Sequence, residues 1–197
     1  MGALGDNIAA ADVNANAEVQ CRSPRPVARG RGPGPNEEEQ RAMLQDGDTA
    51  PDFELPTDGG GKLRLSGLAG RPVVLYFYPK DDTSGCTAEA RDFTQLAPDF
   101  RKAGVEVVGV SPDSVESHAR FRKKHGLGIR LAADADKAVA TAYGVWVEKS
   151  MYGRKYMGVE RSTFLIDAKG RIARSWRKVK VPGHAAEVLA AARALKA

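Results

Sequence analysis

Six consecutive apolar residues, Val73-Val-Leu-Tyr-Phe-Tyr78, constrain this chain more than any other stretch. The run has a strand's length and a strand's β-branched and aromatic residues. It shows no polar alternation, so a strand here must be covered on both faces. That requires a sheet with a layer packed on each side. The following residue, Pro79, cannot continue a central strand.

The surrounding pattern supplies those layers. Lys62–Leu65 alternates after the Gly59-Gly60-Gly61 turn and reads as a hairpin arm. Ser84–Ala103 has helical spacing, with Ala88, Phe93, Leu96 and Phe100 expected on one face. Val105–Val110 reads as a second central strand, and Ser114–His125 as a helix with Ser114 as N-cap and Gly126 at the C-cap. A short helix over Asp136–Tyr143 follows. Ser162–Ile166 and Ile172–Trp176 form an antiparallel hairpin around Ala168-Lys169-Gly170. His184–Leu195 closes the chain as a helix with Val188, Leu189, Ala192 and Leu195 as its stripe. The polar segment 147–157 reads as a mobile loop near the active site. Strands 73–78 and 105–110 flank a helix and make a right-handed parallel crossover. The expected fold is α/β, a three-layer α/β/α sandwich with a mixed central sheet.

Composition removes several classes. No stretch reaches 18 apolar residues, so a membrane-spanning helix is not expected. Two cysteines and three histidines in 197 residues support neither a disulfide-stapled scaffold nor a Cys/His metal site. His118, His125 and His184 form no recognisable site, and His184 reads as a structural residue at a helix start. The net charge of +5 divides into −3 over residues 1–50 and +8 over the remainder. The cations are scattered, without interleaved aromatics, and nucleic-acid binding is not expected.

Residues 1–45 read as a flexible extension before a domain over 46–197. They are rich in Ala, Asn, Gly and Pro, and Arg29-Gly-Arg-Gly-Pro-Gly-Pro35 cannot form regular structure. Glu37–Leu44 could add one helical turn. The apolar stretch Ile8–Ala11 is too short for a secretory signal, and Asp6, Asp12 and Glu18 interrupt a transit peptide. A cytoplasmic location is the expectation.

The chemistry concentrates in Pro79-Lys-Asp-Asp-Thr-Ser-Gly-Cys86. In α/β folds, ligands gather beyond the carboxyl ends of strands. Cys86 falls in the first turn of the next helix, where unpaired N–H groups and the helix dipole favour a thiolate. Thr83 can turn its hydroxyl to the same spot, and Pro79 can shape and partly roof the pocket. On residue type alone, a lone cysteine such as Cys86 is more often a small buried apolar residue than a nucleophile, and the strand end, the helix start and Thr83 bring the two readings level. Thr83 could be a helix cap, Glu89 a first-turn dipole partner, and Arg161 a surface charge.

The stretch Val73–Glu89 resembles the peroxiredoxin active-site motif Pro-x-x-x-Thr/Ser-x-x-Cys. It is most similar to the peroxiredoxin Q, or bacterioferritin comigratory protein, subfamily. Gly109–His118, Gly158–Asp167 and Val179–His184 extend the resemblance, which covers residues 47 to 195. It implies a thioredoxin-like fold, peroxide reduction, and no cofactor or metal. It also implies roles: Cys86 as the peroxidatic cysteine, Thr83 as hydroxyl donor, Arg161 as the active-site arginine, Pro79 as shield, and Glu89 in the arginine network. Many members of the subfamily carry a resolving cysteine five residues after the first. That position here is Arg91. Cys21 is the remaining candidate resolver, by a flexible tether. The favoured expectation is a one-cysteine mechanism with thioredoxin, glutaredoxin or glutathione as reductant, in a monomer or small homodimer. A peroxide sensor or relay using the same cysteine, and a non-catalytic binding module, are the alternatives.

Overall fold

The computed structural model describes residues 43–151 and 153–195. Cys21, Tyr152 and nearly all of the expected extension, including most of the Glu37–Leu44 turn, lie outside the described residues.

Among the described residues, nine strands and four α-helices follow in the order β1 (Glu54–Pro56), β2 (Lys62–Arg64), β3 (Val73–Phe77), α1 (Ser84–Lys102), β4 (Glu106–Ser111), α2 (Val115–His125), β5 (Arg130–Ala133), α3 (Ala138–Ala142), β6 (Trp146–Met151), β7 (Arg154–Val159), β8 (Ser162–Ile166), β9 (Ile172–Trp176) and α4 (His184–Ala194). The central sheet runs β5-β4-β3-β8-β9, with β1–β2 and β6–β7 as separate hairpins. β3 pairs β4 in parallel and β8 antiparallel, so the sheet is mixed as its strand pattern implied.

Strand β3 is buried along its whole length, and its alternate residues feed two cores. Val74 and Tyr76, with Tyr78 beyond the strand end, join Phe93 and Phe100 of α1, Phe121 of α2 and Val188 of α4. Val73, Leu75 and Phe77 join the β1–β2 hairpin, Val139 and Ala140 of α3, and Phe164. Helices therefore pack on both faces. Leu44 packs against this second core. Ser114 caps α2 by accepting from the Ser117 N–H, and Gly126 ends it at φ 62°.

Three expectations need correction, and one strand gave no signal in the sequence. The buried stripe of α1 is Cys86, Glu89, Ala90, Phe93, Ala97 and Phe100. Ala88 is exposed and Leu96 only half-buried, because the helix turns its Cys86–Ala90–Phe93 row to the sheet. In α4, Leu195 is exposed, and His184 and Ala185 take the inward face with Val188, Leu189 and Ala192. Segment 147–157 is not a loop. Its residues pair as β6 and β7 in register, Glu148 with Met157 and Lys149 with Tyr156, around Gly153 at φ 77°. Cross-strand pairing satisfies the backbone while Glu148 and Lys155 stay in water as an ion pair. Strand β5, which the sequence did not signal, pairs in parallel with β4 at the sheet edge. It is short, begins with a charge and contains two alanines, which have low strand preference.

Candidate active site

Strand β3 ends at Phe77, and α1 begins seven residues later at Ser84. The turn between them brings Cys86 to the carboxyl end of the sheet. Cys86 is the third residue of α1 and 2% exposed. The first intrahelical bond is Thr87 N–H to the Thr83 carbonyl at 2.8 Å. The N–H groups of Ser84, Gly85 and Cys86 therefore stand ahead of the helix ladder, at the positive end of its dipole.

Arg161 arrives from across the sheet. It lies between β7 and β8, directly after the β6–β7 hairpin. Its Nη2 donates to Cys86 Sγ at 3.1 Å, and its Nη1 donates to Glu89 Oε2. One planar guanidinium thus holds both the sulfur and the carboxylate, a geometry that lysine cannot reproduce. The Val179 N–H, at 3.0 Å, fixes the Arg161 carbonyl. Glu89, 1% exposed, lies one helical turn after Cys86. Burial pushes its carboxyl up to about 7, against the opposing pull of Arg161. Burial works against the guanidinium charge, but Glu89 and Cys86 raise its pKa above the ordinary value, so Arg161 stays a cation.

The structure brings Cys86, Arg161 and Glu89 together. It places Thr83 at the α1 N-cap, where the side chain makes no cap bond and the hydroxyl instead donates to the Lys80 carbonyl at 3.2 Å. The expected turn of that hydroxyl toward Cys86 is not made here. Pro79 follows Tyr78 on the exposed turn before α1. Tyr76 and Tyr78 are core residues. Arg91 is exposed on α1 and donates to His125 Nδ1 at 3.4 Å. Among the described residues no group of three or more His, Cys, Asp or Glu side chains could hold a metal ion. Similarly, no described helix is long and apolar enough to cross a membrane.

Sequence reasoning missed two residues beside this site. Lys149, half-buried on β6, lays its stem along Gly158 and donates to the Val159 carbonyl at 2.6 Å. Burial lowers its pKa, although the charges of Glu160 and Cys86 oppose the shift. Its signal was hidden because the hairpin was read as a loop. The second is Asp81, buried in the turn itself. An acidic residue in a polar turn gives no sign in sequence that it faces inward.

A cysteine at a helix start, on a mixed sheet of this topology and beside a half-buried arginine, defines a thioredoxin-fold protein with a cysteine-centred site. The AhpC/TSA family model matches residues 47–175. The chain belongs to that family and is a peroxiredoxin, a thiol-dependent peroxidase. It is 51% identical over 146 residues to a putative peroxiredoxin bcp of Coxiella burnetii, covering 74% of this chain and 97% of the relative. It is 49% identical to peroxiredoxin Bcp of Bacillus subtilis, covering 74% and 93%. Among solved structures, Xanthomonas campestris peroxiredoxin Q matches at 49% identity and TM-score 0.70, over 72% of this chain and 90% of that one. A bacterioferritin comigratory protein of the same organism, studied for alkyl peroxide reduction, matches at 48% identity and TM-score 0.70 with the same coverage.

Proposed function

We propose that Cys86 is the attacking nucleophile toward hydrogen peroxide and organic hydroperoxides, and that an external thiol completes the cycle. The observation that carries this reading is the Arg161 guanidinium, bonded at once to Cys86 Sγ and to buried Glu89. A fixed cation at the sulfur favours the thiolate and can stabilise charge on the departing oxygen.

The thiolate attacks the terminal peroxide oxygen. An S–O bond forms as the O–O bond breaks, sulfur is oxidised to sulfenic acid, and the second oxygen leaves as hydroxide or alkoxide and takes a proton to become water or alcohol. A reductant thiol then attacks the sulfenic sulfur and releases water, giving a mixed disulfide. A second thiol displaces Cys86 and carries away the disulfide. Thr83 supplies a hydroxyl to the bound peroxide after rotating from the Lys80 carbonyl. Glu89 holds the guanidinium in place, and Pro79 shields the pocket.

Arg91 stands where a local resolving cysteine would be, which favours the one-cysteine cycle over residues 46–197, with residues 1–45 as an extension. The reductant is thioredoxin, glutaredoxin or glutathione. The alkyl peroxide chemistry of the Xanthomonas relative supports organic hydroperoxides as substrates.

The test is a single turnover with one equivalent of hydrogen peroxide, followed by intact mass with and without a sulfenate trap. Gain of one oxygen on Cys86, captured by the trap, is expected. Loss of two hydrogens that disappears in Cys21→Ser would make Cys21 the resolver. An unchanged mass under excess peroxide would overturn the peroxidase reading.

A further inference from the structure

The turn that delivers Cys86 is anchored by a buried carboxylate that the peroxide chemistry does not use. Asp81 is 6% exposed and accepts three side-chain hydrogen bonds, from Tyr78 Oη at 2.7 Å, Ser117 Oγ at 2.8 Å and His118 Nδ1 at 2.8 Å. Its own N–H donates to Asp113 Oδ2 at 2.8 Å, and Asp113 also accepts from Ser111 Oγ at 2.8 Å. The end of β3, the end of β4 and the first turns of α2 therefore converge on one residue of the turn.

The next residue is fixed as well. Asp82 adopts φ 59°, a left-handed conformation uncommon for a side chain other than glycine. Its carboxylate accepts from Lys124 Nζ at 2.5 Å and from His125 Nε2 at 2.6 Å. Helix α2 thus grips two successive residues of the turn, and only Thr83 separates them from Ser84, the first residue of α1.

A buried carboxylate is a poor device for stability alone, since desolvation offsets much of what its partners return. The network also leaves His118 Nε2 buried without a partner. The carboxylate does fix position, because three donors from different elements define where the turn must lie. Cys86 Sγ meets Arg161 at 3.1 Å only if the first turn of α1 is held where it is.

We propose that Asp81, with Ser117 and His118 of α2, is a positioning residue that holds the first turn of α1 so that Cys86 meets Arg161. This rests on the reading of Cys86 as the reacting group. Asp81 acts through backbone placement and does not touch the peroxide.

Electrostatics and positioning predict opposite signs, which makes the test decisive. Asp81→Ala removes a buried negative charge. If charge alone mattered, the Cys86 thiolate would become easier to form. If Asp81 positions the turn, Cys86 drifts from Arg161 and the thiolate is lost. The full chain is examined by the ultraviolet absorbance of its thiolate, by alkylation with iodoacetamide at neutral pH, and by peroxide oxidation in single turnover. The expected result for Asp81→Ala is a smaller thiolate signal and at least a tenfold slower alkylation and oxidation. Asp81→Asn keeps an acceptor for Ser117 and His118 and is expected to recover most of both rates.

Should Asp81→Ala fail to fold, Tyr78→Phe removes one donor hydroxyl while keeping the ring, and is expected to shift both rates the same way by a smaller factor. A lower melting temperature with unchanged alkylation and thiolate signal would reduce the network to a structural role and overturn the proposal. A gain in thiolate would overturn it too. Wild-type protein that alkylates at Cys86 but is never oxidised there would sink the peroxidase reading instead, while the alkylation rates would still decide the positioning role.

Discussion

The hydroxyl end of Tyr76 occupies the space that a side chain would need at Gly109. A Cβ there would stand 2.5 Å from Tyr76 Oη and 2.6 Å from Cζ. The two residues face each other in the β3–β4 register, and Tyr76 stacks on Phe93 of α1 with ring centroids 4.7 Å apart. The sheet thus lacks one side chain so that a large ring can lie beneath the helix that carries Cys86. Tyr78 stacks on the same ring, with centroids 5.6 Å apart.

Gly109→Ala should therefore overpack this junction and destabilise the protein by about 1–3 kcal/mol. Urea unfolding monitored by circular dichroism measures it. A midpoint unchanged from wild type would mean that the ring has room to move.

Arg161 supports two further outcomes that separate chemistry from stability. Arg161→Lys keeps the charge but cannot reach Sγ and Glu89 together, and should slow Cys86 oxidation about 10²-fold. Arg161→Met leaves Glu89 buried without its partner, so the carboxyl keeps its proton to higher pH, and the protein should be destabilised most above neutrality. Adding Glu89→Gln to Arg161→Met should restore much of the stability and none of the oxidation rate. Stopped-flow peroxide kinetics beside urea melts would show it, and a double variant that regained activity would remove Arg161 from the chemistry.

The parts of the fold that announce themselves locally were legible in the sequence. The apolar run 73–78 marks a central strand without further help, and Ser114 and Gly126 bound α2 because caps are chemical features of single residues. Helix faces were less legible. Ala88 and Ala90 are the same residue type, and only the rotation of α1 against the sheet decides that the second is buried. Hairpin β6–β7 was hidden because two exposed, charged strands satisfy each other's backbone without an apolar face. In the site, Cys86 and Thr83 belong to one turn and could be read together. Arg161 is 75 residues from Cys86, and no local pattern joins them. The family resemblance made that link, but it gave no notice of Asp81 and His118, 37 residues apart and joined by a buried hydrogen bond.

His184 gives a pH prediction in the same helical layer. It is 5% exposed and shares a 2.8 Å hydrogen bond with Thr163. Burial holds its pKa below the ordinary 6.5, with Glu187 pulling the other way and Arg161 adding to the depression. The unfolded chain then takes up a proton that the folded chain resists. Stability is unaffected by this group above about 6.5 and falls as the pH drops below it. Relative to His184→Gln, the wild type should lose stability on acidification from neutrality. A constant difference across that range would show that the imidazole ionises freely in the fold.

Glu89 predicts the opposite slope in nearly the same window. Its carboxyl rises from the ordinary 4.5 to about 7, chiefly because burial disfavours the carboxylate. Between those two values the folded chain keeps a proton that the unfolded chain has released. Its contribution is complete below 4.5 and is lost as the pH rises through about 7. The whole span corresponds to about 3 kcal/mol at 1.36 kcal/mol per pKa unit. Glu89→Gln cannot titrate, so the stability of wild type minus that of the variant isolates the effect. Urea melts of both proteins between acid and neutral pH should show this difference shrinking as the pH rises. A difference that held steady, or grew, would mean that Arg161 keeps the carboxylate ionised throughout and that the ion pair outweighs burial at this site.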